Sequence, residues 1–191
     1  MAIHLQKGGN VSLSQEAPGV QRVIIGLGWA PEPPNGTVCD LDSSAFLLRA
    51  DGKVKSDDDF VFYNNLRSED GSVEHAGDKL TSPNTTDEEQ LEVDLAHVPP
   101  DIQRIAVAVT IRDAEARHQD FGMVSHAFIR CVDADSDREI ARFDLSEDYS
   151  SETSLVFGEL VRANGDWRFR AVGQGYRGGL SPLARSYGVD A

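Results

Sequence analysis

Apolar residues along this chain come in short runs, broken by small polar turns. That is the spacing of strands rather than of long amphipathic helices. The pattern predicts strands at residues 20–27, 45–48, 60–63, 91–95, 105–111, 127–132, 139–145, 155–162 and 167–172. The first ends in a Gly26-Leu27-Gly28-Trp29 turn, and the second is closed by Asp51-Gly52. Between the last two, Ala163-Asn164-Gly165-Asp166 carries the Asn-Gly signal of a tight hairpin. Helical pattern is scarce: a short helix over 181–186, and another beginning near Asp148 or Ser151. Many strand-like runs with short connections favour a sandwich or barrel over a doubly wound sheet. No internal repeat or linker divides the 191 residues, so they are read as a single domain, 1–191.

Composition sharpens this picture in two ways. With 40% hydrophobic residues the chain buries an adequate core without disulfides or metal. Its two cysteines, Cys39 and Cys131, lack CxxC spacing and are expected as free, buried thiols of a reducing cytosol. The formal net charge of −14 argues against nucleic acid or an anionic membrane as a direct partner. The start of the chain does not read as a signal peptide, and no apolar run approaches the ~20 residues of a membrane helix. A cytoplasmic protein with no direct membrane insertion is the expectation.

The acidic charge is concentrated. Residues 40–94 hold 15 of the 32 acidic side chains and 5 of the 18 basic ones, a net −10 in under a third of the chain. Asp40 and Asp42 flank Leu41, and the two-residue period of a strand puts both carboxylates on one face. Asp57, Asp58 and Asp59 precede the strand at 60–63, and Asn64 and Asn65 follow it. Glu69, Asp70 and Asp78 lie in a Gly- and Ser-rich stretch, and Asp87, Glu88 and Glu89 precede the strand at 91–95. Carboxylates crowded together repel, and a fold that gathers them protonates some or binds cations. The all-oxygen donor set suits calcium; zinc would want His or Cys, and only His75 is near. A solvated acidic face is the other reading.

Asp133-Ala134-Asp135-Ser136-Asp137 begins like an EF-hand loop. Arg138 stands where that loop needs glycine, Asp144 where it needs a bidentate Glu, and the flanks read as strands, so an acidic hairpin turn is expected. Gly173–Gly179 lacks dinucleotide-loop spacing and reads as packing turns, and Asp113–Asp120 reads as an exposed loop. No GxSxG, HExxH or P-loop occurs, and no catalytic Ser/His/Asp or Cys/His set can be argued from spacing.

Taken together, several stretches resemble the TerD family. They are residues 5–13 (LQKGGNVSL), Gly26-Leu27-Gly28-Trp29, residues 40–46 (DLDSSAF), residues 56–65 (SDDDFVFYNN), residues 71–75 (GSVEH), Gly77-Asp78, residues 157–160 (FGEL) and residues 171–176 (AVGQGY). The resemblance spans essentially the whole chain. It implies a mainly β fold, a β-sandwich of two sheets with short helices. It also implies calcium, normally two ions, bound by clustered acidic residues. Members are associated with resistance to tellurite and other stresses, in multi-protein complexes near the inner membrane face. Carried over by position, the implied ligands are Asp40, Asp42, Asp57, Asp58, Asp59, Asn64, Asn65, Asp78, Asp87, Glu88 and Glu89. Two departures bear on them: Ala30 replaces the Asp that usually follows Gly-Leu-Gly-Trp, and Ser82-Pro83-Asn84-Thr85-Thr86 replaces a loop usually rich in Gly and Asp.

The expectation is therefore a non-enzymatic, calcium-ordered interaction module of stress response, with other proteins of a stress-response complex as partners. The alternative is a metal-dependent hydrolase of phosphate esters, which would need a cation such as Arg67 or Lys79 in the same cleft. Thiol chemistry on tellurite is a third reading, weakened because neither cysteine has neighbours that would lower its pKa.

Overall fold

A computed structural model describes residues 2–29, 39–77, 87–124, 126–145, 149 and 151–190. Within them the chain forms twelve strands: β1 (Ile3–Leu5), β2 (Asn10–Ser12), β3 (Arg22–Gly28), β4 (Leu41–Arg49), β5 (Phe60–Val61), β6 (Val73–His75), β7 (Glu89–Asp94), β8 (Ile102–Ile111), β9 (Phe128–Asp133), β10 (Arg138–Asp144), β11 (Ser154–Ala163) and β12 (Asp166–Tyr176). Three short helices accompany them: α1 (Leu13–Glu16), α2 (Ala114–Arg117) and α3 (Leu180–Ser186). The strands make two six-stranded sheets, ordered β1-β10-β9-β3-β7-β6 and β2-β12-β11-β8-β4-β5. The β1–β10 pair is parallel, and the other strand pairs are antiparallel. The expected β-sandwich of two sheets with short helices is what forms.

The main core lies between the sheets. Ile25, Leu27, Leu91 and Ile129 from one sheet meet Leu47, Ile105, Leu155 and Phe169 from the other, all essentially inaccessible to water. A second core covers the outer face of the second sheet. There Phe46, Leu48, Phe60 and Val156 pack under Leu183, Ala184 and Val189 of the C-terminal segment, with Phe46 stacked on Phe60 at 4.6 Å. β4 thus contributes Ala45 and Leu47 to one core and Phe46 and Leu48 to the other. A strand buried on both faces reads as an unbroken apolar run, and residues 45–48 do.

The turns follow their residues. Asn164 and Gly165 both take positive φ, 53° and 78°, as a type I′ hairpin between β11 and β12 requires. The EF-hand-like segment is a turn between antiparallel β9 and β10, with Asp135 N–H donating to Asp133 Oδ1 at 3.0 Å. The 181–186 helix forms as α3, whereas Ser151 lies in a turn and Asp148 lies outside the described residues.

Three expectations change. Gly173 and Gly175 sit inside β12, where Tyr149 approaches both; close packing explains Gly175, and at Gly173 a φ of 63° adds a conformational reason. Residues 113–120 contain α2, whose Ala114 is buried in the main core. Cys131 is buried as expected, but Cys39 is half-buried, because it lies just before β4 at the sandwich end rather than within it.

Candidate functional site

The strand registers divide the implied ligands between opposite ends of the sandwich. Asp42 lies opposite Thr110, near the start of β4 and the end of β8. β5 runs antiparallel to β4 with Phe60 opposite Phe46, so the Phe62–Asn65 turn heads back toward Asp42 and residues 57–59 lie the other way. Asp59 is thus about five residues, roughly 17 Å, along the sheet from Asp42. The structure does not bring the triple Asp to Asp40 and Asp42.

At the Asp42 end, one guanidinium organises the carboxylates. Arg112 Nε and Nη2 donate to Asp42 Oδ2 and Oδ1 at 3.0 and 3.1 Å. Its Nη1 lies 3.8 Å from Asp40, and the Arg112 main-chain N–H donates to the Asp40 carbonyl. The hydrogen bond to Asp42, then the charges of Asp42 and Asp40, hold the Arg112 guanidinium above its ordinary pKa. The Tyr63 ring, half exposed, lies 5.0 Å from the same guanidinium and places the 62–65 turn beside it. Asn64 is exposed at this turn. Asn65 instead braces the turn, its Nδ2 donating to the Phe60 carbonyl at 2.8 Å. The cleft alongside has a volume of about 870 Å³, with Asp42, Tyr63, Arg112 and Glu115 among its lining.

Glu88 and Glu89 reach the same end. Leu27 lies opposite Glu89, and Glu88 is exposed. Glu89 Oε1 accepts from the Ser43 main-chain N–H at 3.2 Å, tying β7 to β4 across the sheets. Beneath it His75 Nε2 is 2.8 Å from Ser43 Oγ and 3.7 Å from Glu89 Oε2. His75 Nδ1 accepts from Gly77 N–H at 2.9 Å, so the proton sits on Nε2 and Ser43 Oγ accepts it. A serine that accepts from histidine is not being deprotonated by it, so this buried Ser-His-Glu group is a structural tie in this tautomer.

Asp87 has a different environment. Its side chain is fully buried, with Oδ1 and Oδ2 accepting from Arg130 Nε and Nη2 at 2.8 Å and Oδ2 also accepting from Gln90. That hydrogen bond raises the Arg130 pKa against the effect of burial. Gly26 lies directly beneath, where a Cβ would come within 2.2 Å of Asp87 Oδ2.

At the opposite end, Ser56 Oγ caps Asp58 N–H, and Asp57 Oδ1 accepts from Asp190 N–H at 3.0 Å. Asp58 is exposed, and Asp59 is only 4% exposed. Asp78, Ala30 and residues 82–86 lie outside the described residues, as does Lys79.

The donors at the Asp42 end are hard oxygens from carboxylates and a carboxamide, the set calcium takes. Among the described residues, the imidazole of His75 has both ring nitrogens in hydrogen-bond contact. Asp40, Asp42, Asn64, Glu88 and Glu89 therefore fit a calcium ion in donor chemistry. Among the described residues no three acidic, His or Cys side chains stand close enough to hold a metal on their own.

The TerD domain matches residues 1–187 of the chain. The chain belongs to the TerD family. It is 54% identical over 191 residues to the tellurium resistance protein TerD of Serratia marcescens, covering 100% of both chains. To the general stress protein 16U of Bacillus subtilis (strain 168) it is 48% identical, covering 100% of this chain and 99% of that one. The crystal structure of a TerD homologue from Streptomyces coelicolor A3(2) aligns with a TM-score of 0.68. It covers 87% of this chain and 96% of its own at 24% identity, a likeness of fold. Among the described residues of this TerD-family chain, no helix is long and apolar enough to cross a membrane.

Sequence reasoning missed Arg112, Arg130, Ser43 and His75 as organisers of this end. Arg112 had a signal: it directly follows the 105–111 strand, where an arginine meets whatever acid the neighbouring strand presents. Ser43 and His75 lie within stretches that carry the family resemblance, but nothing in the sequence pairs them, because their contact spans the two sheets.

Proposed function

We propose that this TerD-family protein is a calcium-binding, non-enzymatic interaction module of tellurium resistance and stress response. The observation that carries the calcium reading is the convergence at one end of the sandwich: Asp40 and Asp42 share Arg112, with Glu89 tied to Ser43 alongside. Asp40, Asp42, Asn64, Glu88 and Glu89 would hold the cation, beside the Arg112 guanidinium that pairs with Asp42 and lines the cleft. Calcium supplies charge neutralisation and fixes the relative positions of β4, β7 and the 62–65 turn. The protein's own groups do the rest: Glu89 ties the two sheets, and Tyr63 and Arg112 present a surface that a protein partner can read. The full-length likeness to tellurium-resistance and stress proteins supports the cellular role, with further proteins of a stress-response complex as partners at the inner membrane face. Location in the cytoplasm belongs to the same reading.

The test is thermal unfolding of chelator-stripped protein with added calcium. Saturation at ~100 times the dissociation constant stabilises by about 2.7 kcal/mol. Asp42→Asn should abolish most of that shift while folding normally without calcium. An unchanged melting temperature in the parent protein at saturating calcium would sink the proposal.

A further inference from the structure

The cleft beside Arg112 has a floor and walls that the calcium reading leaves unused. It opens on the outer face of the second sheet, where Asp42, Thr110, Ser154 and Tyr176 stand opposite one another across β4, β8, β11 and β12. Further along, that face packs Phe46, Leu48 and Val156 under the C-terminal segment. At this end it carries only Ser44, Thr110 and Ser154 in their place, and small residues hollow the surface. Thr110, 4% exposed, lines the hollow. On the same face Ser44 Oγ and Ser154 Oγ are buried without a hydrogen-bond partner among the described residues, a state that buried hydroxyls rarely keep. One wall is the start of α2, with Asp113 and Glu115 exposed. The other is the 178–180 turn, where Gly179 holds a φ of 81° and a Cβ would meet nothing within 4 Å, so the main chain is open to close approach.

The same end gathers the exposed apolar side chains. Among the described residues the large ones are Tyr63, Leu66 and Met123. Tyr63 and Leu66 belong to the turn after β5, and the Leu66 carbonyl accepts from His75 N–H. Met123 lies in the connection that leaves β8 opposite the start of β4 and enters β9 opposite the end of β3. A surface that concentrates its apolar side chains at one end is suited to a protein contact there.

We propose that the cleft grips a basic side chain, arginine or lysine, presented by an extended segment of a partner protein with apolar residues beside it. This rests on the interaction-module reading and supplies the chemistry of the partner. The lining holds three carboxylates, Asp42, Asp113 and Glu115, against one guanidinium. Asp42 is already paired with Arg112, whereas Asp113 and Glu115 have no ion pair among the described residues. An ammonium or guanidinium brings donors alone, which suits these two carboxylates at the lip and the Thr110 hydroxyl at the floor. Its aliphatic stem lies along Ile111, Ala116 and Leu180, and its apolar neighbours meet Tyr63 and Leu66. The volume of about 870 Å³ takes such a side chain together with a neighbouring one. An acidic segment would meet only repulsion at the lip.

The experiment is selection of short random displayed peptides on the full-length protein, calcium-loaded and chelator-stripped in parallel, followed by titration of the best-selected peptide in synthetic form. Enriched peptides should share an arginine or lysine beside aliphatic or aromatic residues. Asp113→Asn combined with Glu115→Gln should weaken the titrated peptide by roughly three- to tenfold; asparagine tolerates the φ of 53° at position 113. Glu69→Gln combined with Asp101→Asn, the same loss of charge at the opposite end, should leave the affinity unchanged. Amide shifts on binding should map to residues 110–116 and 178–180. Peptides enriched without a basic residue, or whose affinity ignores the change at 113 and 115, overturn the cleft proposal and leave an interaction module in place. No enrichment on either preparation overturns both.

Discussion

Asp59 concentrates the electrostatic cost of the acidic surface in one side chain. Its carboxylate is buried, faces Glu69 and Asp70, and is offset mainly by Lys55. In metal-free protein near neutral pH that charge opposes folding, so Asp59→Asn should stabilise by about 1–2 kcal/mol in urea unfolding. A loss of stability instead would mean that the carboxylate has a favourable partner. The cysteines make a second residue-scale case. Burial pushes the Cys131 thiol far above its ordinary value, with Asp133 adding to the effect, so it is neither a nucleophile nor a ready metal ligand. Alkylation of the native protein should label Cys39 and spare Cys131 until the chain unfolds. Equal labelling rates would contradict this burial.

The first sheet is locked by one small arrangement across β7, β3 and β9. Asp87, just before β7, reaches over Gly26 of β3 to the guanidinium of Arg130 on β9. Only glycine leaves room. Gly26→Ala should drive the carboxylate off Arg130 and cost about 1–3 kcal/mol. Asp87→Ala should cost about 3 kcal/mol or more, since it strands a half-buried arginine. Denaturant melts of the two variants check both; two near-neutral results would remove the lock. The same element shows what the sequence carried. Runs such as 105–111 and 155–162 were legible because burial writes itself as apolar periodicity. β1, β2 and β6 were not, because each is three residues long and owes its existence to a neighbour's edge. Asp87 read as a ligand among acids, and only the register that places Arg130 across Gly26 reveals its ion pair.

At the scale of the molecule, the registers send the Asp40–Asp42 pair and the Asp57–Asp59 triple of the focused acid to opposite ends of one sandwich. Composition could count those charges but could not divide them, because the division depends on β5 doubling back along β4. The Asp42 end joins both sheets through Glu89 and Ser43, so a cation there would act on the sandwich as a whole. The most direct test of the central claim is calorimetric titration of calcium into chelator-stripped protein, repeated with Asp42→Asn and with Asp59→Asn. Saturable, calcium-selective heat that disappears in Asp42→Asn and persists in Asp59→Asn is the predicted result. Calcium heat absent from the parent protein, or unchanged by Asp42→Asn, would contradict it.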